Sequence, residues 1–187
     1  FMAIKIAIAG NIIDFGAQSN FDIDRDLNDI LYKDFAIFDY KDFKNKLKEE
    51  NEILYLGDNA GETVFDRILI EVLKNEYNKK IIYVVKEKPI INDATKEDAY
   101  FAGIDKYVEK IISSGSDAPG TVLNLCNEEF LNIFYNSKFI ISKGQGNYEA
   151  LSDVDAHIFF LLKIKCGVLA EELNKPEGSI ILKYGKR

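Results

Sequence analysis

From residue 34 onward, short β-branched or aromatic runs alternate with charged stretches whose apolar residues recur at the helical period. That rhythm predicts strands over 35–38, 53–56, 81–85, 108–112, 139–141, 157–162 and 180–182. Between them it predicts helices over 43–50, 63–75, 96–102, 128–135 and 167–173. Several of the strand runs are apolar without interruption, as strands buried on both faces of a parallel sheet must be. In 63–75, Val64, Ile68 and Val72, with Phe65, Leu69 and Leu73 beside them, make a broad apolar stripe. The first third differs. Residues 2–13 are apolar without alternation, and 22–33 carries Ile23, Leu27, Ile30 and Leu31 at helical spacing. We read two helices joined by a polar loop over 15–20 and packed at one edge of the sheet. The expectation is an α/β domain with a mostly parallel sheet over 34–187, preceded by a helical portion over 1–33.

A chain of 187 residues with 47% apolar content fits one domain with a substantial core and excludes intrinsic disorder as its main description. Thirty-one Asp and Glu against 24 Lys and Arg give a formal charge of −7, which repels phosphate backbones and anionic headgroups over a Debye length of roughly 8 Å. Nucleic acid and membrane are therefore poor partners. An acidic protein acting on an anion needs a local source of positive charge. Cys126, Cys166 and the lone His157 cannot make a thiolate or histidine zinc site, and the two thiols read as core residues of a reducing compartment. With no long apolar span and no signal-peptide progression, the expected location is cytoplasmic. His157, opening a strand, reads as a core or edge residue.

Chemistry gathers where predicted strands end. The run over 53–56 leads into Gly57-Asp58-Asn59-Ala60-Gly61-Glu62, after which a helix begins at once. In an open parallel sheet, ligands bind beyond the carboxyl ends of the strands, and an aspartate with an asparagine offers two hard oxygen donors for a divalent cation. The flanking glycines permit close backbone approach, and amides opening the helix favour an anion at the same spot. The plainer alternative is that Asp58 or Asn59 caps the helix. The next strand leads into Asn92-Asp93, where Asp93 could supply a second carboxylate to the same cation or cap the helix that follows. A third strand delivers Ser142-Lys143-Gly144-Gln145-Gly146-Asn147-Tyr148-Glu149, a lysine and two glycines suited to holding a phosphoryl group. The dinucleotide and P-loop glycine signatures are both absent. Three strand ends carrying such groups outweigh any one of them, and a cation with Lys143 and helix amides would supply the positive potential an acidic shell lacks.

These segments, together with Gly10-Asn11-Ile12-Ile13-Asp14, resemble the motifs of the metal-dependent damage-control phosphatases, once filed as a domain of unknown function, and most of all their compact archaeal branch. The resemblance runs from residue 2 to 185 in order. It implies a Rossmann-like three-layer α/β/α domain and a hydrolase of small phosphate monoesters, such as damaged or surplus sugar phosphates, using Mg, Mn, Co or Ni. Position by position, Asp58, Asn59 and Asp93 match the family's metal ligands and Lys143 its phosphate-contacting lysine. Asn11 and Asp14 fall where the family lines the pocket, and Gly144, Gly146 and Asn147 fall in the loop beside Ser142 and Lys143. The attack implied is by a metal-oriented water, with Asp14 or Glu62 as a candidate base and Asp58 as the alternative nucleophile. Glu62 can also be read as first-turn helix charge, and Asn11 with Asp14 as polar residues ending a helix. Such relatives carry a helical segment ahead of Gly10-Asn11, so the nine residues before that motif and the Phe1-Met2 start suggest a truncated domain.

A haloacid-dehalogenase-type reading needs D-x-D directly after a strand. Asp22-Ile23-Asp24 precedes a helix and Asp153-Val154-Asp155 precedes a strand, so both read as caps and turns. The competing class is a non-catalytic domain that holds a phosphorylated metabolite in the same crevice.

Overall fold

In the computed structural model, residues 1–10 and 30–185 are described. The chain forms α1 (Met2–Ala9), β1 (Phe35–Phe38), α2 (Tyr40–Glu49), β2 (Glu52–Leu56), α3 (Thr63–Asn75), β3 (Lys80–Val85), α4 (Lys96–Phe101), β4 (Lys110–Ser113), α5 (Glu128–Asn136), β5 (Ile140–Lys143), α6 (Gln145–Leu151), β6 (Ile158–Lys163), α7 (Gly167–Leu173) and β7 (Ile180–Gly185). The seven strands make one sheet in the order β1-β7-β6-β5-β2-β3-β4, and every pairing is parallel except β6 with β7. The expected mostly parallel α/β/α sandwich is what the chain forms.

Two cores flank the sheet. Ile53, Tyr55, Ile81, Tyr83, Ile141 and Phe159 point to one side, where they meet α1, α2, α3 and α4. Leu54, Leu56, Val84, Ile140, Ile158 and Phe160 point to the other, under α5, α6 and α7. Strand alternation thus splits each apolar run between the two faces, which is why β6, Ile-Phe-Phe-Leu-Leu-Lys, is buried along all but its last residue. No helix among the described residues is long and apolar enough to cross a membrane.

The N-terminal helix α1 packs against α3 and β6 over a face of the sheet, and Phe1 and Lys5 at its start reach the rings of the edge strand β1. Ile4, Ala7, Ile8 and Ala9 are buried there because the segment is apolar nearly all round and cannot remain on the surface. Buried Lys5 reaches back to the carbonyls of Leu31 (2.9 Å) and Lys33 (2.6 Å), tying α1 to the helical turn at 30–32. The expected loop over 15–20 and most of the second N-terminal helix lie outside the described residues.

Two other expectations shift. Gly146 and Asn147, expected in a loop with Gly144, lie in α6, a helix whose short length and early glycine hide its period. In α3 the buried face is Thr63, Asp66, Leu69, Ile70 and Leu73, while Val64 and Ile68 are exposed. A carboxylate on the buried face of α3 is explained only by the site it serves.

Candidate functional site

The strand order places β2 at a switch point: the chain leaves it for β3 and β4 on one side and returns to β5 on the other. Ligands of an open parallel sheet bind beyond the carboxyl ends of the strands at such a point, and the residues after the ends of β2, β3 and β5 converge there. Asn59 and Asp93 form an isolated backbone bridge, with Ala60 N–H donating to the Asn92 carbonyl (2.8 Å) and Ala94 N–H to the Asp58 carbonyl (2.7 Å). Those bonds fix Asp58, Asn59 and Asp93 side by side. Gly144, at φ +82°, comes so close to Asp58 that a Cβ would collide with its carboxylate; here glycine is required both for the backbone conformation and for the approach.

Capping is not the role of Asn59 or of Asp93. Asn59 precedes a short 3-10 turn, Ala60–Glu62, without capping it through its side chain. Helix α4 is capped by Thr95, whose N–H (2.8 Å) and hydroxyl (2.7 Å) both donate to Asp98, leaving Asp93 outside the cap.

The Asn59 amide nitrogen donates to Glu62 Oε1 at 2.8 Å. Because an ionised carboxylate only accepts, this bond dictates which way the amide is turned and leaves its oxygen as the end not engaged by Glu62. Glu62 in turn accepts from the Lys143 ammonium (2.9 Å), and Lys143 donates again to Asp66 Oδ1 (2.7 Å). Asp66 is completed by the hydroxyls of Tyr55 and Tyr83, each at 2.8 Å. Glu62, Asp66, Lys143, Tyr55 and Tyr83 have no exposed surface. Lys143, which the resemblance assigns to phosphate, has its ammonium enclosed by two carboxylates. Burial alone would lower its pKa, but Asp66 and Glu62 outweigh that and raise it, so the ammonium stays charged. The tyrosines lie opposite each other in the β2–β3 register, and burial with the adjacent Asp66 charge pushes both well above the usual phenol range.

On the other face Asn147, in the first turn of α6 and not in a loop, donates to the carbonyls of Lys143 (2.8 Å) and Gly57 (3.1 Å). It accepts from Thr121 Oγ1 at 2.7 Å. Gly146, on the same turn, has its carbonyl against Gly120. Ser142 is fully buried in β5 and its hydroxyl has no hydrogen-bond partner. Asn11 and Asp14 lie outside the described residues. Asp153 and Asp155 precede β6, at the opposite end of the sheet from the site, and the His157 ring nitrogen Nδ1 lies 2.6 Å from the Tyr184 hydroxyl at that same end.

Asp58 is pushed well above the ordinary carboxylate range by burial and by the neighbouring Glu62 and Asp93 charges. Asp93 is raised by burial, opposed by Lys86, whose own ammonium is lowered by burial and lies 3.6 Å from Asp93 Oδ2. That oxygen is buried and makes no hydrogen bond. Asp58, Glu62, Asp66 and Asp93 outnumber the cations that act on them, Lys86, Lys143 and Lys165, so the site carries an excess of negative charge. Among the described residues no three His, Cys, Asp or Glu side chains are placed to hold a metal ion by themselves. The donor set is instead two carboxylates and an amide oxygen, all hard ligands, and with the unbonded Asp93 oxygen it fits a cation of the Mg or Mn type.

Sequence reasoning missed Asp66, Tyr55, Tyr83, Lys86 and Thr121. A signal existed for the first three: a tyrosine within a doubly buried strand needs a partner, and Asp66 stands one turn beyond Glu62.

A family model described as damage-control phosphatase ARMT1-like domain matches residues 1–181. An uncharacterized protein of Methanocaldococcus jannaschii is 46% identical over 186 residues, covering 96% of this chain and 60% of that protein. A damage-control phosphatase of Pyrococcus horikoshii is 42% identical, covering 99% of this chain and 65% of its own length; one of Archaeoglobus fulgidus is 32% identical, covering 97% and 64%. The crystal structure of a DUF89 family protein from Pyrococcus horikoshii superposes with a TM-score of 0.89 at 41% identity, over 99% of this chain and 65% of that one. The chain thus spans under two thirds of the length of the relatives it matches.

Proposed function

The chain belongs to the damage-control phosphatase ARMT1-like domain family, and from that premise we propose that it is a metal-dependent hydrolase of small phosphate monoesters, such as damaged or surplus sugar phosphates. The observation that carries the proposal is the meeting of Asp58, Asn59 and Asp93 at the switch point of the sheet, with a buried Asp93 oxygen that makes no hydrogen bond.

Asp58, Asn59 and Asp93 would hold the cation. When bound, it supplies Lewis-acid polarisation of a phosphoryl oxygen and orients the attacking water. The chain's own residues set the stage. Glu62 turns the Asn59 amide, and Lys143 holds Glu62 in place while keeping a positive charge beneath the site. Asp66 and the two tyrosines prevent Lys143 from moving toward solvent. Gly144 brings backbone to within touching distance of Asp58, and Asn147 ties the ends of β2 and β5 together. In this assignment Lys143 and Glu62 act through Asn59 and do not touch the phosphoryl group; Asn11, Asp14 and Ser142 remain proposed pocket residues.

The test is hydrolysis of p-nitrophenyl phosphate and fructose 1-phosphate with Mg, Mn, Co and Ni in turn. The expected result is turnover that appears with metal and vanishes with EDTA. Binding of phosphorylated ligand without turnover under every metal would overturn the proposal in favour of a regulatory domain.

A further inference from the structure

We propose that Lys86 is a positioning residue that couples the loop after β4 to the ligand carboxylate Asp93, so that occupancy of the cation site and order of that loop are linked. The inference rests on the metal-site reading above and extends it to a residue and a loop which that reading does not use.

Lys86 follows directly on β3 and is almost fully buried. Its ammonium donates to the Ala118 carbonyl (3.0 Å) and to the Gly120 carbonyl, and it faces Asp93 Oδ2 at 3.6 Å. Two of the ammonium's donors thus go to carbonyls of the loop, while its charge faces an oxygen of the site as an ion pair without a hydrogen bond. The far end of the loop is pinned as well. Gly120, at φ +70°, lies against the Gly146 carbonyl, and Thr121 donates to Asn147, which itself holds the ends of β2 and β5. Between those pins, Ser113, Ser114 and Ser116 accept from the backbone N–H groups of Gly115, Ser116 and Ala118, so the loop closes largely on its own hydroxyls. Lys86 joins it to β3 and to Asp93 at the site.

An ammonium with this arrangement cannot serve one partner without affecting the other. A cation held by Asp93 fixes that carboxylate, which fixes Lys86 and with it the carbonyls of Ala118 and Gly120. Linkage makes the effect reciprocal: whatever orders the loop also favours the ligand geometry.

The experiment compares hydrogen exchange over 113–121 in wild type, Lys86→Met and Lys86→Arg, metal-free and with Mn2+, alongside Mn2+ binding followed by electron paramagnetic resonance. In metal-free protein Lys86→Met should speed exchange in the loop by about tenfold, the scale of losing one or two buried hydrogen bonds. Saturating Mn2+ should slow loop exchange in wild type and leave it unchanged in Lys86→Met, with Lys86→Arg intermediate. Should Lys86→Met fail to fold, Gly120→Ala lifts the loop from its other end, since its Cβ would press on the Gly146 carbonyl, and should uncouple it in the same way. Loop protection that responds to Mn2+ equally with and without Lys86 overturns the inference while leaving the metal site intact. Absence of Mn2+ binding in wild type overturns the metal site itself, and this coupling with it.

Discussion

A buried ammonium between two carboxylates makes opposite predictions depending on whether it serves substrate or scaffold. Lys143 has no exposed surface and contacts Glu62 and Asp66, so Lys143→Met should destabilise the fold by about 3–5 kcal/mol in chemical denaturation, because it strands two buried charges. A mere loss of phosphate affinity at unchanged stability would instead return the residue to the substrate. Asp93→Asn behaves in the contrary manner. Its Oδ2 makes no hydrogen bond and faces only the Lys86 ammonium at 3.6 Å, so the metal-free protein should shift far less in stability than with Lys143→Met, while Mn2+ affinity falls by more than the roughly 10–100-fold that losing a group behind a ligand costs. The two substitutions separate groups that the motif alone presents as equivalent. Asp58, Asn59 and Asp93 were legible because they sit between a strand and a helix, a place defined by local pattern. The role of Lys143 was not, because its partners, 77 and 81 residues away, lie on the buried face of α3 and on the turn before it, which only the fold brings to the lysine.

That helix face shows what periodicity can and cannot reveal at the scale of an element. The limits of α3 follow from its apolar period, and the structure returns them unchanged at Thr63–Asn75. Its orientation does not follow, because Val64 and Ile68 are as apolar as Leu69 and Leu73; the helix turns to place Glu62 and Asp66 over Lys143. The loop between β3 and α4 carries a second local signature. Ile91 lies at φ +52°, a conformation that a β-branched residue adopts at a cost, yet its side chain is 87% exposed and packs on little. Ile91→Asn should therefore stabilise the metal-free protein by about 1 kcal/mol in urea unfolding. A loss of stability would show that Ile91 is held by contacts stronger than its strain.

At the scale of the molecule, an acidic chain concentrates uncompensated charge where a cation is expected, and this sets the direction of its pH response. Asp58 and Asp93 both titrate above the ordinary carboxylate range in the metal-free fold, Asp58 most strongly, through burial and the facing Glu62 charge. A carboxyl whose folded pKa is raised binds its proton more tightly folded than unfolded. Its contribution to stability is therefore complete below the unfolded carboxylate pKa and is lost as pH climbs through the raised folded value. The metal-free protein should thus lose this part of its stability as pH rises from about 4 toward neutrality. A cation at Asp58, Asn59 and Asp93 reverses the sign, since it takes the deprotonated ligands and releases their protons on binding. Thermal midpoints measured across that range with EDTA and with Mn2+ should diverge as pH rises. At a Mn2+ concentration a hundred times the dissociation constant, the gap should reach about 2.7 kcal/mol. Parallel curves would mean that Asp58 and Asp93 are not the groups exchanging protons for metal, and Asp58→Asn with Asp93→Asn should flatten the EDTA curve if they are.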